Sequence, residues 1–255
     1  MSDSCRASPH RSAATDRCLT RLTNDYTFVA THTRDCERTG GGVARLLDWR
    51  QMSSPNRHFV ACMGLRLSMA AIIFATVGPA GVAAIQAGGV ATVNYFSYFT
   101  NDSNIIAGVV LVIAAVRWQS DDVKIAWLRG AAVLYMTTTA LVDQIILGGG
   151  LSGLVVHIIA PIGVLIDWLV FPPTSRVTAR LSLAWLGFPA VWIVYTLTRG
   201  GLTNWYPYAF VDPKRAGGTI GVMGYMLGIS VLILLLARFI RVAPEPRRET
   251  SKKAS

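Results

Sequence analysis

The chain has 255 residues, of which 52% are hydrophobic and 15% are charged, and its mean hydropathy is +0.43. Soluble domains carry about 25% charged residues, so this composition excludes an ordinary soluble enzyme and a disordered protein, and it predicts a polytopic membrane protein. The net charge of +10 does not indicate nucleic-acid binding, because the basic residues cluster beside apolar runs, as they do around membrane spans.

The first 58 residues form a polar head, which is rich in Arg, Ser and Thr and contains no Lys. Residues 1–58 show neither hydrophobic periodicity nor the apolar core of a signal peptide, and they predict a disordered cytoplasmic segment. A second hypothesis is a misassigned start, with translation beginning near Met52; peptides from residues 1–50 found in the native host would refute it. The last segment, residues 242–255, predicts a disordered basic cytoplasmic tail close to anionic lipid headgroups.

Residues 59–241 contain six apolar runs, which are predicted to cross roughly 30 Å of hydrocarbon as helices. The fifth run is short and is interrupted by Pro189. Of the 24 Lys and Arg residues, 21 lie on the side that carries both termini, so we expect a multi-pass protein of the cell membrane with both termini in the cytoplasm. The predicted fold is all-α, a polytopic membrane protein with six transmembrane helices near 62–86, 94–117, 125–147, 151–171, 181–198 and 219–240.

Cysteine and histidine usage bears on metal sites. Three of the four cysteines lie in the polar head and no two form a C-x-x-C pair, so neither a zinc site nor a disulfide framework is indicated. His157 alone among the four histidines lies inside an apolar run. One imidazole without an embedded thiol argues against a transition-metal or haem site. We therefore expect no cofactor and no metal, and only a carboxylate-rich site stays open.

Three polar residues from different spans share one predicted depth in the outer leaflet. Thr100 and His157 each lie six residues from the outer start of their spans, which corresponds to about 9 Å along a helix. Asp143 lies about 7 Å deep at the outer end of the third span and is the candidate to orient His157, whereas Asp102 points away from Thr100. The polar residues of span two share an arc of roughly 120° on its helix: Asn94, Ser97, Thr100, Asn101 and Asn104.

Other features have a structural role as their first interpretation. Asp167, near the inner end of the fourth span, is expected to pair with a nearby arginine. Pro161 leaves the carbonyl of His157 without its usual donor, which predicts a kink there. The aromatic segment 204–213 predicts an interfacial belt or a lid over an outer-leaflet cavity, formed by Trp205, Tyr206 and Tyr208. Small residues in the last span indicate close helix packing or a homo-oligomer through Gly221, Gly224 and Gly228.

Three segments resemble one family of membrane proteins. The segments YFSYFTNDSN at 95–104, VVHIIAPIGVLIDW at 155–168 and WYPYAFVD at 205–212 are similar to the bacterial branch of the androgen-induced-gene family. That family also contains the androgen-dependent regulator of tissue factor pathway inhibitor. Its members are six-span proteins, and the animal ones are intramembrane threonine hydrolases that cleave fatty acid esters of hydroxy fatty acids. The resemblance covers about residues 62–240, and it implies that Thr100 is the nucleophile and His157 the essential histidine.

The leading functional hypothesis is a threonine/histidine hydrolase of lipid esters, which acts in the lipid bilayer on an acyl-chain substrate. A threonine hydroxyl needs a base to take its proton, and a neutral His157 can serve as that base. The side-chain amide of Asn101 or Asn104 is the candidate oxyanion donor. A small proton-coupled transporter or lipid-binding protein is the first alternative, and a non-catalytic membrane scaffold is the second.

Overall fold

A computed structural model of the chain describes residues 54–117, 122–150 and 153–242. The predicted head up to residue 53, the hypothetical start near Met52 and the tail beyond Val242 lie outside these residues. The described residues form helices and turns without a strand, which confirms the all-α fold class, and the first helix already begins inside the predicted head. The α-helices are α1 (Ser54–Ala87), α2 (Gly89–Tyr95), α3 (Phe99–Val116), α4 (Val123–Val142), α5 (Ala160–Val170), α6 (Ala179–Leu183), α7 (Gly187–Thr203) and α8 (Gly218–Val242).

Five helical segments of the described residues are long and apolar enough to cross a membrane, which identifies a polytopic helical membrane protein. The predicted fourth span corresponds to a shorter apolar helix, Val155–Val170, so the count of six crossings stays a prediction. The five long segments are Arg57–Ala87, Phe99–Val116, Val123–Leu147, Ala179–Thr203 and Gly218–Val242.

Pro189 does not break the helix of the fifth predicted span. A single 3-10 turn at Ala184–Leu186 joins α6 to α7, and Pro189 lies in the first turn of α7. A proline is tolerated there, because the first N–H groups of a helix have no partner within it. The helical segment therefore extends over Ala179–Thr203, beyond the predicted 181–198.

The second predicted span is not one continuous helix, and the single polar arc expected on it is therefore wrong. The chain turns at residues 96–98, where Tyr98 has an extended backbone with φ of −82° and ψ of 119°. Asn94 and Ser97 precede the start of α3, whereas Thr100 lies in its first turn. Contacts from α7, described below, hold this turn and give the physical reason for the break.

Helix α4 lies at the centre of the bundle. Residues 129–136 are buried on every side, as expected of a helix surrounded by other helices, and α4 packs against α3, α5 and α8. A β-carbon at Gly130 would overlap the indole ring of Trp185. Trp185 is fully buried and donates its N–H to the carbonyl of Trp127 at 3.0 Å. The 3-10 turn before α7 is thereby fixed to the first half of α4.

A buried cluster of charges joins α1, α4 and α5. Asp167 accepts from Nε of Arg66 at 2.7 Å and from Nε of Arg129 at 3.0 Å, which confirms the expected pairing with an arginine. The three side chains are at most 7% exposed. Arg66 also donates to the carbonyl of Ala114, and Arg129 to that of Phe171, each at 2.7 Å. These bonds compensate charges that would otherwise be costly inside an apolar bundle.

Large apolar side chains cover much of the outside of the bundle. Ile220 and Leu227 of α8 are 85% and 68% exposed, and Leu202 of α7 is 80% exposed. Soluble monomers rarely expose large contiguous apolar patches, whereas helices in a bilayer turn such side chains towards the lipid. The surface therefore agrees with the composition in indicating a membrane protein.

Candidate functional site

One cavity of about 40 Å³ brings together the three residues for which the sequence predicted a common depth. Its wall includes Thr100 from the first turn of α3, Asp143 from a π-helical turn after α4, and His157 from a π-helical turn before α5. Aromatic and aliphatic side chains, Trp192 and Phe210 among them, form much of the remaining wall. A hydroxyl, a carboxylate and an imidazole therefore share one mostly apolar space.

Thr100 is hydrogen-bonded to Tyr208, a contact that sequence reasoning missed. Oγ1 of Thr100 lies 3.1 Å from Oη of Tyr208, and the backbone N–H of Thr100 donates to the same oxygen at 3.2 Å. This N–H is available because the first N–H groups of a helix lack a partner within it. The two residues are 108 positions apart, and no local pattern relates them, so the sequence carried no signal for the pair.

Side chains of α7 fix the turn that leads into α3. Nε1 of Trp192 donates to the carbonyl of Ser97 at 3.0 Å, and Oη of Tyr195 lies 2.9 Å from Oγ of Ser97. Arg199 donates to Oγ of Ser97 at 3.2 Å and to Oδ1 of Asn94 at 2.5 Å. Residues spaced three and four apart share one face of a helix. One face of α7 therefore holds the turn before α3 at several points.

His157 and Asp143 lie in two separate π-helical turns, Val155–Ile159 and Asp143–Leu147. Such deviations from α-helical geometry are frequent at functional sites. Nδ1 of His157 lies 3.7 Å from Oδ1 of Asp143, which is beyond hydrogen-bond distance. This nitrogen is buried and has no hydrogen-bond partner among the described residues. Asp143 accepts from Nε2 of Gln144 at 2.9 Å. A shift of about 1 Å would join the carboxylate to the imidazole.

A π-helical turn at Val155–Ile159 lies where Pro161 was predicted to kink the helix. Because Pro161 has no N–H, the regular bond to the carbonyl of His157 is missing, and the N–H of Ala160 bonds to the carbonyl of Val155. Gly153 precedes the turn with φ of +84°, and a β-carbon there would lie 2.8 Å from Cδ2 of His157. Both features favour glycine at this position.

The two asparagines predicted as oxyanion donors bond to backbone carbonyls. Nδ2 of Asn101 donates to the carbonyl of Tyr95 at 2.9 Å, and Nδ2 of Asn104 donates to that of Thr100 at 2.8 Å. Neither asparagine lines the cavity, and Asp102 also lies outside its wall. Asn104 is fully buried, and its Oδ1 has no partner in the described ranges. Both amides support the start of α3 in this arrangement.

Of the three residues predicted as a lid, Tyr208 lines the cavity and the other two pack beside it. The ring of Trp205 lies 4.3 Å from the guanidinium carbon of Arg199, a cation–π contact. Tyr206 fills the space over Gly200, where a β-carbon would overlap its ring. Aromatic contacts thus hold the segment between α7 and α8 against the bundle.

An apolar groove of about 570 Å³ lies next to the cavity, and Val142 and Ile229 belong to the walls of both. The glycines of α8 that were predicted to pack against another helix line this groove: Gly221, Gly224 and Gly228. A β-carbon at Gly224 or Gly228 would meet no atom within 4 Å. These two glycines therefore contact no other helix of this chain closely, and the homo-oligomer stays a prediction.

Within the residues that the structure describes, no three His, Cys, Asp or Glu side chains converge in a way that could hold a metal ion. No protein-family model matches the chain, and no curated protein or solved structure is significantly similar to it. The function is therefore inferred from the cavity and from the resemblance of residues 95–104, 155–168 and 205–212 to one family of membrane proteins.

Proposed function

We propose that this membrane protein is an intramembrane hydrolase of lipid esters, with Thr100 as the nucleophile and His157 as the general base. The observation that carries the proposal is that a hydroxyl, an imidazole and a carboxylate from three separate helical segments line one apolar cavity. The resemblance of the segments around Thr100 and His157 to the androgen-induced-gene family supports the same two roles.

The first half of the reaction transfers the acyl group to threonine. Nε2 of His157 takes the proton of the Thr100 hydroxyl while Oγ1 bonds to the ester carbonyl carbon, and the carbonyl π electrons move onto the carbonyl oxygen. The tetrahedral intermediate then collapses and re-forms the carbonyl. The bond to the alcohol oxygen breaks, His157 gives its proton to that oxygen, and the alcohol leaves an acyl-threonine behind.

The second half releases the fatty acid. His157 removes a proton from water, the water oxygen attacks the acyl carbon, and the proton passes to Oγ1 of Thr100 as the bond between Oγ1 and the acyl carbon breaks. Asp143 is a positioning residue in this scheme. A carboxylate beside Nδ1 keeps the proton on that nitrogen, directs Nε2 towards the hydroxyl and stabilises the imidazolium that forms.

The surroundings of the cavity favour a substrate with long acyl chains. The groove that shares Val142 and Ile229 with the cavity is almost wholly apolar, so an acyl chain that moves into it from the lipid stays in apolar surroundings, whereas a polar chain would lose its hydrogen-bond partners there. The distribution of Lys and Arg puts both termini in the cytoplasm of the proposed enzyme. The cavity then lies in the outer leaflet of the cell membrane, where lipid esters can reach it from the side.

The test is hydrolysis of a fatty acid ester of a hydroxy fatty acid by the purified full chain in detergent. Thr100→Ala and His157→Ala should each reduce turnover to the background rate. Thr76→Ala is the matched control, because Oγ1 of Thr76 bonds to the carbonyl of Ile72 in its own helix and lies outside the cavity. A fluorophosphonate probe should label Thr100 in the wild type, as read by peptide mass spectrometry. Full hydrolysis by the Thr100 and His157 variants would refute the proposal.

A proton-coupled transporter is the second candidate, and the pair of Asp143 and His157 at 3.7 Å favours it, because such pairs in membrane proteins also carry protons. The same variants separate the two functions. A transporter requires Asp143→Asn to abolish proton-driven uptake into vesicles while Thr100→Ala has no effect. The hydrolase requires Thr100→Ala to abolish turnover.

A further inference from the structure

We propose that Tyr208 is a third catalytic residue, and that its hydroxyl donates a hydrogen bond to the oxyanion formed when Thr100 attacks an ester. This inference rests on the proposed hydrolase function and names a donor that the function requires. Acyl transfer develops negative charge on the carbonyl oxygen, and a preorganised donor about 3 Å away stabilises that charge. The amides of Asn101 and Asn104 are already bonded to backbone carbonyls, so Tyr208 is the better placed group.

The contacts of Tyr208 with Thr100 leave the tyrosine proton available for this role. The backbone N–H of Thr100 donates to Oη at 3.2 Å, so Oη is the acceptor in that bond. In the second contact, Oη lies 3.1 Å from Oγ1, and either hydroxyl can donate. Once Oγ1 has lost its proton to His157 and bonded to the acyl carbon, Oγ1 can only accept. The proton of Oη is then directed at the reacting centre.

The position of the oxyanion follows from its bond to the same carbon as Oγ1. An oxygen on that carbon is a close neighbour of Oγ1 and therefore comes within reach of Oη. The N–H of Thr100 donates to Oη in the resting protein, and this bond holds the tyrosine oxygen beside the nucleophile.

Aromatic packing holds the Tyr208 hydroxyl in one place. The ring stacks on Phe210 with centroids 5.2 Å apart and an interplanar angle of 9°, and it meets the ring of Tyr98 edge-to-face at 5.5 Å. Trp192 lies on a further side, with its ring centroid 5.9 Å away. A donor that is fixed before the reaction needs no reorganisation as charge develops, which is what makes such donors effective.

The electrostatics of the site keep Tyr208 in the form of a donor. Burial raises the pKa of Tyr208 to about 12, so its hydroxyl keeps its proton at neutral pH. Helix α3 has 18 residues and begins beside Thr100, and the N-terminus of a helix carries partial positive charge. The helix N-terminus favours an anionic substrate oxygen at this point.

Tyr208→Phe tests the inference, because it removes the hydroxyl and keeps the ring. Turnover and KM are measured on the purified full chain with the same ester, together with the rate at which a fluorophosphonate labels Thr100. Loss of one oxyanion donor lowers kcat about 10²- to 10³-fold in known enzymes, and we expect a loss of that order with KM unchanged. The labelling rate should fall in parallel, because attack on the phosphonate also builds negative charge on its phosphoryl oxygen, which the same donor would stabilise.

Tyr95→Phe is the matched control, because it removes a hydroxyl that donates to the carbonyl of Val77 at 2.6 Å, away from the cavity. Its kcat should equal that of the wild type. Full kcat in Tyr208→Phe, with Thr100→Ala inactive, overturns the inference and leaves the hydrolase intact. A loss in Tyr208→Phe that comes from a raised KM or a lowered unfolding midpoint also overturns it, since it shows a structural role. A wild type without hydrolysis overturns both proposals.

Discussion

Replacing Asp167 by Asn tests whether the buried charge cluster holds α1, α4 and α5 together. The change preserves size but leaves the guanidinium groups of Arg66 and Arg129 without a carboxylate, at positions that are at most 7% exposed. Removing one partner of a buried ion pair costs about 3–5 kcal/mol. Two pairs are lost here, but the amide oxygen can still accept one bond, so we expect a cost within that range. Since 1 kcal/mol moves the midpoint of a domain of this size by about 2–4 °C, the midpoint should fall by about 6–20 °C.

Thermal unfolding in detergent, followed by tryptophan fluorescence, measures the effect. Trp168 is a local reporter, because the guanidinium carbon of Arg129 lies 5.5 Å from its ring centroid. Asp102→Asn is the matched control, since Asp102 is a half-buried acidic residue of α3 with no ion pair among the described residues. Its midpoint should stay close to that of the wild type.

A triple variant separates the loss of a partner from the loss of the whole cluster. Arg66→Met, Arg129→Met and Asp167→Leu together leave no unpaired charge, and well-packed apolar replacements of buried ion pairs are often neutral or stabilising. The triple variant should therefore be more stable than Asp167→Asn. Two results would refute a stabilising role of the charge cluster. One is an unfolding midpoint of Asp167→Asn within about 2 °C of the wild type, and the other is a triple variant less stable than Asp167→Asn.

Three further changes have defined outcomes. Gly130→Ala should lower the unfolding midpoint, because the added β-carbon would overlap the buried Trp185 ring. Gly224→Ala is the control, since a β-carbon there meets no atom within 4 Å, and equal midpoints of the two variants would contradict close packing of Gly130 on Trp185. Gly228→Leu fills part of the groove beside α8 and should raise KM for long-chain esters but not for acetyl esters. An equal change in KM for both kinds of ester would show that the groove does not bind the acyl chain. Burial raises the pKa of Tyr208 from its ordinary value of 10 to about 12 in the folded chain, so the unfolded chain loses this proton first and the stability of the fold decreases as the pH rises from 10 through 12. The unfolding midpoint should therefore fall less between pH 10 and pH 12 in Tyr208→Phe than in the wild type.

The sequence by itself determined the class of the protein, and it predicted that the residues of the candidate site share one depth. The length of an apolar run and the bias of Lys and Arg belong to single segments, so the all-α membrane class follows without knowledge of neighbouring helices. The rise per residue of a helix is constant, and Thr100, Asp143 and His157 could therefore be predicted to share one level. The structure has all three on one cavity.

Only the tertiary structure decided which side chains meet. Residues 94–104 contain neither proline nor glycine, so no local signal predicts the break before α3, which depends on Trp192 and Arg199 holding Ser97 from α7. Tyr208 reaches Thr100 from 108 residues away through the packing of the aromatic segment that follows α7. The free energy of such contacts depends on the relative placement of helices that are distant in sequence. A hydroxyl or an amide can be satisfied by many partners, so residue type alone does not specify which one it finds.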